Sequence, residues 1–298
     1  MFRRFSPKLS LALVPALLIG GALDAQAMRP GMTAGQATPR GGQPMAYGND
    51  PLQALDYWPG RGTRPPLLIF VHGGGWKRGS KDYATGATKV DHYGRLGYAF
   101  ASINYRLVPD ATVEQQAQDV ADAIAYLRGR AATLGFDPNR IVLMGHSAGA
   151  HLVALVGTDM HYFARAGLQP DAVKGIIPLD GAAYDVSRQM QEGSRFMTGT
   201  YEQTFGTDPV RQKALSPTMQ AAKPNAPSFL ILHVNRTDGT AQANALTAAL
   251  KAAGTPATVH ALPGRGLRGH MEINRSMGDP AYPGTAIVDT YLKRIFGQ

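Results

Sequence analysis

The chain has 298 residues, 44% of them hydrophobic, which suffices for one large buried core and argues against a disordered protein. It contains no cysteine, so disulfides, a catalytic thiol and cysteine-bound metal are excluded. The net charge of +9 comes from scattered Lys and Arg, with no basic block and no interleaved aromatic residues, so no nucleic-acid partner is expected.

The chain begins with Arg3, Arg4 and Lys8, continues with an almost wholly apolar run over 9–23, and then reads Ala25-Gln26-Ala27. A basic start, a short apolar core and small residues at the end describe a cleavable secretory signal over 1–27, cut after Ala27. The apolar run is about 15 residues, interrupted by Pro15, and falls short of the roughly 20 that a spanning helix needs. A secreted or periplasmic protein with no stable membrane insertion after cleavage is therefore expected. Residues 28–50 are rich in Gly, Pro, Thr and Gln and read as a flexible leader, with one catalytic domain over 51–298.

Within that domain, residues 52–58 read as an edge strand and 67–71 as a buried one. A helix is predicted over 89–96, a strand over 98–104 and a helix over 113–134, whose apolar residues Val113, Ala117, Val120, Ala121, Ile124 and Leu127 form one stripe. Strands follow at 141–144, 173–179, 228–234 and 257–262, with helices at 150–156, 241–253 and 285–296. Residues 182–227 lack a strong strand and read as a partly helical, cap-like insertion near the mouth of the site. This alternation predicts an α/β fold with a mainly parallel sheet and helices on both faces.

The stretch Gly145-His146-Ser147-Ala148-Gly149 stands between the apolar strand at 141–144 and the apolar helix at 150–156. Strand, Gly-x-Ser-x-Gly, helix is the context of a nucleophile elbow, in which a tight turn lifts the serine hydroxyl clear of the backbone. A second glycine-rich stretch, His72-Gly73-Gly74-Gly75-Trp76, comes straight off the end of the 67–71 strand. Its bare amides admit an oxygen closely, so Gly74, Gly75 and Ala148 are the candidate oxyanion-hole donors. His72 reads as a brace for this loop.

A serine hydroxyl needs a base within hydrogen-bond reach and a group that orients the base. Asp238 is predicted in the loop after one strand and His270 in the loop after the next, over 263–270. In a parallel sheet such loops open on the edge that carries Ser147. Ser147 is thus the expected nucleophile, His270 the base and Asp238 the orienting acid, with no metal or cofactor required. Asp208 reads as a turn residue and Glu272 as a pocket or structural acid, and neither is preferred to Asp238. Trp76, His146 and Met271 are the candidate substrate-binding residues. His146, His151 and His233 read as satisfied core histidines rather than bases, and His260 as a surface residue of a strand.

Together His72-Gly-Gly-Gly-Trp76, Gly145-His-Ser-Ala-Gly149, Asp238 and His270 resemble the α/β-hydrolase superfamily. The likeness spans about residues 50–298 and is nearest to the esterase/lipase branch with an H-G-G-G loop, which includes carboxylesterases, feruloyl and acetylxylan esterases and arylformamidases. It implies an eight-stranded, mostly parallel sheet and hydrolysis of small-molecule carboxylic esters, with short or aromatic acyl groups, through an acyl-enzyme. Arylformamidases carry a bulky residue where Gly75 stands, and no long apolar lid of a long-chain lipase is visible. The competing readings are an arylformamidase or amidase, and a non-catalytic hydrolase-like binding protein, which this chain's retained serine and histidine oppose.

Overall fold

Short apolar runs become the strands of a single sheet. In the computed structural model, which describes residues 41–297, they are β1 (Gln43–Ala46), β2 (Ala54–Trp58), β3 (Leu67–Val71), β4 (Ala99–Ile103), β5 (Ile141–His146), β6 (Gly175–Leu179), β7 (Phe229–Asn235) and β8 (Ala257–Arg265). Their order across the eight-stranded sheet is β1-β2-β4-β3-β5-β6-β7-β8. The β1–β2 and β2–β4 pairs are antiparallel, and every pairing from β4 through β8 is parallel.

The pleat divides each central strand between two cores. Leu67, Ile69 and Val71 of β3 join a core shared with the helices Val113–Gly129 and Ala148–Thr158. Leu68 and Phe70 join the opposite core, with residues of Ala87–Arg95 and Pro283–Phe296. A sheet buried on both faces needs apolar residues at successive positions, which is why β3 and β6 read as unbroken apolar runs and β4 and β5 are broken only by Ser102 and His146. Truncating a fully buried ring such as Phe70 to alanine would cost about 3–5 kcal/mol.

Helix starts follow local chemistry. Thr112 caps Val113–Gly129 with a reciprocal pair: the Gln115 amide donates to Thr112 Oγ1 at 3.3 Å, and the Thr112 amide to Gln115 Oε1 at 2.8 Å. The single helix expected over 113–134 is interrupted at Arg130, whose backbone leaves helical geometry (φ −108°, ψ 7°) before the short helix Ala131–Leu134.

Other expectations shift more. The leader expected over 28–50 ends earlier, because Gln43–Ala46 pair with β2 and take over the sheet edge. The 52–58 segment is therefore an inner strand, not the edge. The loop expected over 263–270 does not exist: β8 runs on to Arg265, and His270 lies in the helix Gly266–Ser276. The insertion at 182–227 is a cluster of short helices, Val186–Glu192, Thr198–Phe205, Pro209–Ala214 and Pro217–Gln220. Arg211 fastens it to the body through two bonds to the Glu114 carboxylate, at 2.7 and 2.8 Å. The expected signal segment, its cleavage site and most of the leader lie outside the described residues. Among the described residues no helix is long and apolar enough to cross a membrane.

Candidate active site

Ser147 sits in the turn between β5 and the helix Ala148–Thr158, at φ 57° and ψ −117°. That backbone conformation is costly for a residue with a Cβ, and it persists because the surroundings fix it. The Ser147 amide donates to the Leu179 carbonyl at 3.1 Å, and its carbonyl accepts from the His151 amide at 3.1 Å. The flanking glycines are fixed by packing: a Cβ on Gly145 would collide with the Gly149 carbonyl, and one on Gly149 with the carbonyls of Val71 and His72. Two bare α-carbons let the elbow helix lie directly on the ends of β3 and β5.

His270 comes to this serine from 123 residues away, with Nε2 at 3.0 Å from Ser147 Oγ. Its Nδ1 lies 2.6 Å from Asp180 Oδ2. Asp180 ends β6, is fully buried, and has a positive φ of 46° that turns its side chain into the site. A buried carboxylate must be compensated. Asp180 Oδ1 accepts the Val234 amide at 3.0 Å, and Arg236 Nη1 stands 3.4 Å from Oδ2.

Asp238 is the residue that sequence reasoning assigns as the orienting acid, and the structure corrects this. It is the second residue of the helix Thr237–Ala252, whose first turn favours an acidic side chain electrostatically. Its carboxylate accepts from its neighbour's amide, Gly239, at 2.9 Å and from Gln189 Nε2 at 3.1 Å, while Arg236 Nε stands 3.6 Å away. The carboxylate on His270 is that of Asp180. The signal was present in the sequence: an acid closing a fully apolar strand on the same sheet edge, with the order serine, aspartate, histidine preserved.

The glycine loop lies against the elbow. A Cβ on Gly73 would come within 2.9 Å of Ser147 Cβ. Gly74 has φ 130°, and any side chain there would collide with the Arg78 carbonyl. Among the described residues, the amides of Gly74 and Gly75 donate to no protein acceptor. The Ala148 amide opens the elbow helix, where no intrahelical acceptor exists for it. His72 braces the loop as expected of it, stacked on Tyr105 with ring centroids 4.4 Å apart and Nδ1 donating to the Gly73 carbonyl at 2.7 Å.

The three candidate substrate-binding residues fare differently. Trp76 is only 3% exposed. It packs edge-on to Phe205 of the insertion and donates from Nε1 to His151 Nδ1 at 3.3 Å, so it anchors the loop rather than lining an open pocket. His146 is buried as well, and its Nε2 donates to the His270 carbonyl at 2.8 Å, bracing the helix that carries His270. Met271 is 40% exposed and stands one position beyond His270. Burial, above all, holds His146 well below the usual imidazole range, and it lowers His72 and His151 to about 4. These three rings are neutral at pH 7.

The remaining acids and histidines take structural places. Glu272 bonds Arg275 and Ser276 on its own helix, and Asp208 caps Pro209–Ala214 by accepting the Val210 amide at 2.9 Å. His233 is buried within β7, and His260 is exposed on β8. Sequence reasoning missed Arg236, which borders a cleft of about 610 Å³ together with Asp238, Glu192 and Ser194. The insertion closes over the glycine loop: a Cβ on Gly75 would lie 3.4 Å from Met197 Cε and 3.6 Å from Thr200 Cγ2.

A mostly parallel eight-stranded sheet with a serine elbow after its central strand, served by a histidine from the C-terminal edge, defines the α/β-hydrolase fold. The chain belongs to the BD-FAE family, whose model matches residues 56–250. It is similar to Esterase LipC of Mycobacterium tuberculosis, with 35% identity over 205 residues, 64% of this chain and 49% of that protein. Esterase LipQ of the same organism is 33% identical over 228 residues, 70% of this chain and 52% of that protein. The chain thus spans about half the length of these curated relatives. Among solved structures, a truncated form of a carbohydrate esterase from gut microbiota superposes with a TM-score of 0.70 at 22% identity, covering 89% of this chain and 99% of that one.

Proposed function

We propose that this chain is a serine hydrolase of carboxylic esters that works through an acyl-enzyme. The observation that carries the reading is the continuous path from Ser147 Oγ to His270 Nε2, 3.0 Å, and from His270 Nδ1 to Asp180, 2.6 Å. LipC and LipQ, to which the chain is similar, are both named esterases.

In this mechanism His270 takes the Ser147 proton as Oγ attacks the ester carbonyl, and then donates it to the departing alcohol. Asp180 keeps the proton of neutral His270 on Nδ1 and stabilises the imidazolium as it forms. The free amides of Gly74, Gly75 and Ala148 receive the oxyanion, each contributing on the order of 3 kcal/mol to the transition state. Water activated by His270 then attacks the acyl-enzyme and releases the acid.

The substrate in this reading is a small ester with a short or aromatic acyl group. Support comes from the insertion, whose Met197 and Thr200 stand beside the Gly75 end of the glycine loop and are placed to meet the acyl group. Export belongs to the same proposal and rests on the basic, apolar and Ala25-Gln26-Ala27 pattern alone. Recovering protein that starts at Met28 from outside the cytoplasm would test it.

Turnover of p-nitrophenyl acetate by the purified chain beside Ser147→Ala tests the chemistry. The wild type should hydrolyse it and the variant should fall to background; equal turnover would reject the assignment. A series of p-nitrophenyl esters of rising chain length, with an aryl formamide included, then reads acyl size and separates esterase from formamidase.

A further inference from the structure

Arg236 stands where Asp238 was expected to act. It precedes the helix Thr237–Ala252 with extended backbone, φ −134° and ψ 138°, and so lies at the C-terminal edge of the sheet. Its Nη2 donates to the Gly181 carbonyl at 3.5 Å, and three further approaches are to charged or ionisable groups. Nη1 is 2.9 Å from His270 Nδ1 and 3.4 Å from Asp180 Oδ2, and Nε faces Asp238 Oδ1 at 3.6 Å.

These contacts cannot all be hydrogen bonds at once. A neutral imidazole nitrogen carries either a proton or a lone pair. If Nδ1 accepted from Arg236, the ring proton would sit on Nε2, pointing at Ser147, and His270 could not act as a base. Asp180 Oδ2 would also face the Nδ1 lone pair at 2.6 Å. With the proton on Nδ1, donation to the Asp180 carboxylate is charge-assisted and strong. Arg236 is then a cation beside the Asp180–His270 pair, bonded to neither through Nδ1, whose attraction is for the carboxylate.

A cation in this place has two opposed effects. It compensates the buried charge of the Asp180 carboxylate from 3.4 Å. It also repels the imidazolium that catalysis creates. Asp238 offsets the second effect by drawing on Nε from the far side. Asp238 is itself held by Gln189 of the insertion, whose Nε2 also reaches Tyr201 Oη at 3.0 Å.

We propose that Arg236 is a positioning residue of the Ser147–His270–Asp180 relay, holding the Asp180 carboxylate in place against His270 Nδ1, and that Asp238 is the counter-charge that restrains it. The inference rests on the serine-hydrolase reading above. Ser147 and the His146 ring also face His270, the two ring centroids standing 4.5 Å apart. His146 is neutral, and its own protonation is opposed by burial first and then by His270, Lys89 and Arg236. Arg236 and Asp238 are thus the pair of opposite fixed charges that flanks the base and its acid partner, and their removal has opposite signs.

The test is kcat/KM for p-nitrophenyl acetate against pH. Losing the cation should move the acid limb of Arg236→Met to higher pH by roughly one unit. Losing the counter-anion should move the limb of Asp238→Asn to lower pH by a smaller amount. Arg236→Lys should hold the wild-type limb while lowering kcat, because it restores the charge without the planar fork. The double variant Arg236→Met, Asp238→Asn should return towards the wild-type limb. Should Arg236→Met not fold, Asp238→Asn and Arg236→Lys still decide the matter. Limbs that superimpose on the wild type, or that move in the same direction in both single variants, would overturn the proposal while Ser147→Ala stays inactive. Ser147→Ala with wild-type turnover would instead remove both this inference and the reading beneath it.

Discussion

Asp180 and His270 are 90 residues apart in the chain, and their side chains meet at 2.6 Å above the C-terminal edge of the sheet. Asp180 reaches this point because β6 is parallel to β5 and ends beside it, with Leu179 opposite His146. The carboxylate that meets His270 therefore comes one strand earlier than the Asp-Gly pair after β7 suggests.

That relationship separates two carboxylates by experiment. Asp180→Asn should lower kcat by about four orders of magnitude, since an amide no longer enforces the Nδ1–H tautomer. Asp238→Asn should cost less than about tenfold on the plateau of the profile, because its carboxylate touches neither ring nitrogen of His270. Steady-state kinetics on the two folded variants decides between them, and the reverse ranking would restore Asp238 as the acid.

Gly74→Ala should reduce kcat by about 10²–10³, the effect of losing one oxyanion donor. A Cβ at φ 130° would collide with the Arg78 carbonyl, so the loop must shift and carry its amides with it. Activity per folded molecule, with folding followed by circular dichroism, measures this. Unchanged activity would mean that the hole is built elsewhere.

Acid should weaken the fold between about pH 6.5 and 4. Burial lowers His72 and His151 from 6.5 to about 4, so the unfolded chain binds protons in that window and the folded chain does not. Stability is complete above 6.5 and is lost as pH falls towards 4, by about 3 kcal/mol for each ring. Urea midpoints across this range should fall steeply for the wild type and less steeply for His151→Gln, which can still bond Leu215 and Trp76. Parallel curves would show that His151 is not held neutral.

Much of this molecule could be read from its residues. The unbroken apolar runs at 67–71 and 141–144 gave the buried parallel strands, because residues covered on both faces leave no polar alternation to mislead. The Gly145–Gly149 elbow was legible because close backbone packing demands glycine at both ends. Asp238 is ambiguous in the sequence because an Asp-Gly pair after a strand fits a catalytic turn and a helix first turn equally well. The segment around His270 reads as a loop because Gly264, Gly266 and Gly269 are poor helix formers, yet packing against Val234 and the buried face of Ile273 holds it helical. Arg236 carried no local signal, since its role depends on three residues that only the fold brings together.

The most direct test of the account is covalent capture of the nucleophile. The wild-type chain should be treated with an alkyl fluorophosphonate and digested, and the adduct located by mass spectrometry. One stoichiometric adduct on Ser147, abolished by Ser147→Ala and strongly slowed by His270→Ala, is the predicted result. Labelling that settles on another residue, or that proceeds at the wild-type rate without His270, would contradict it.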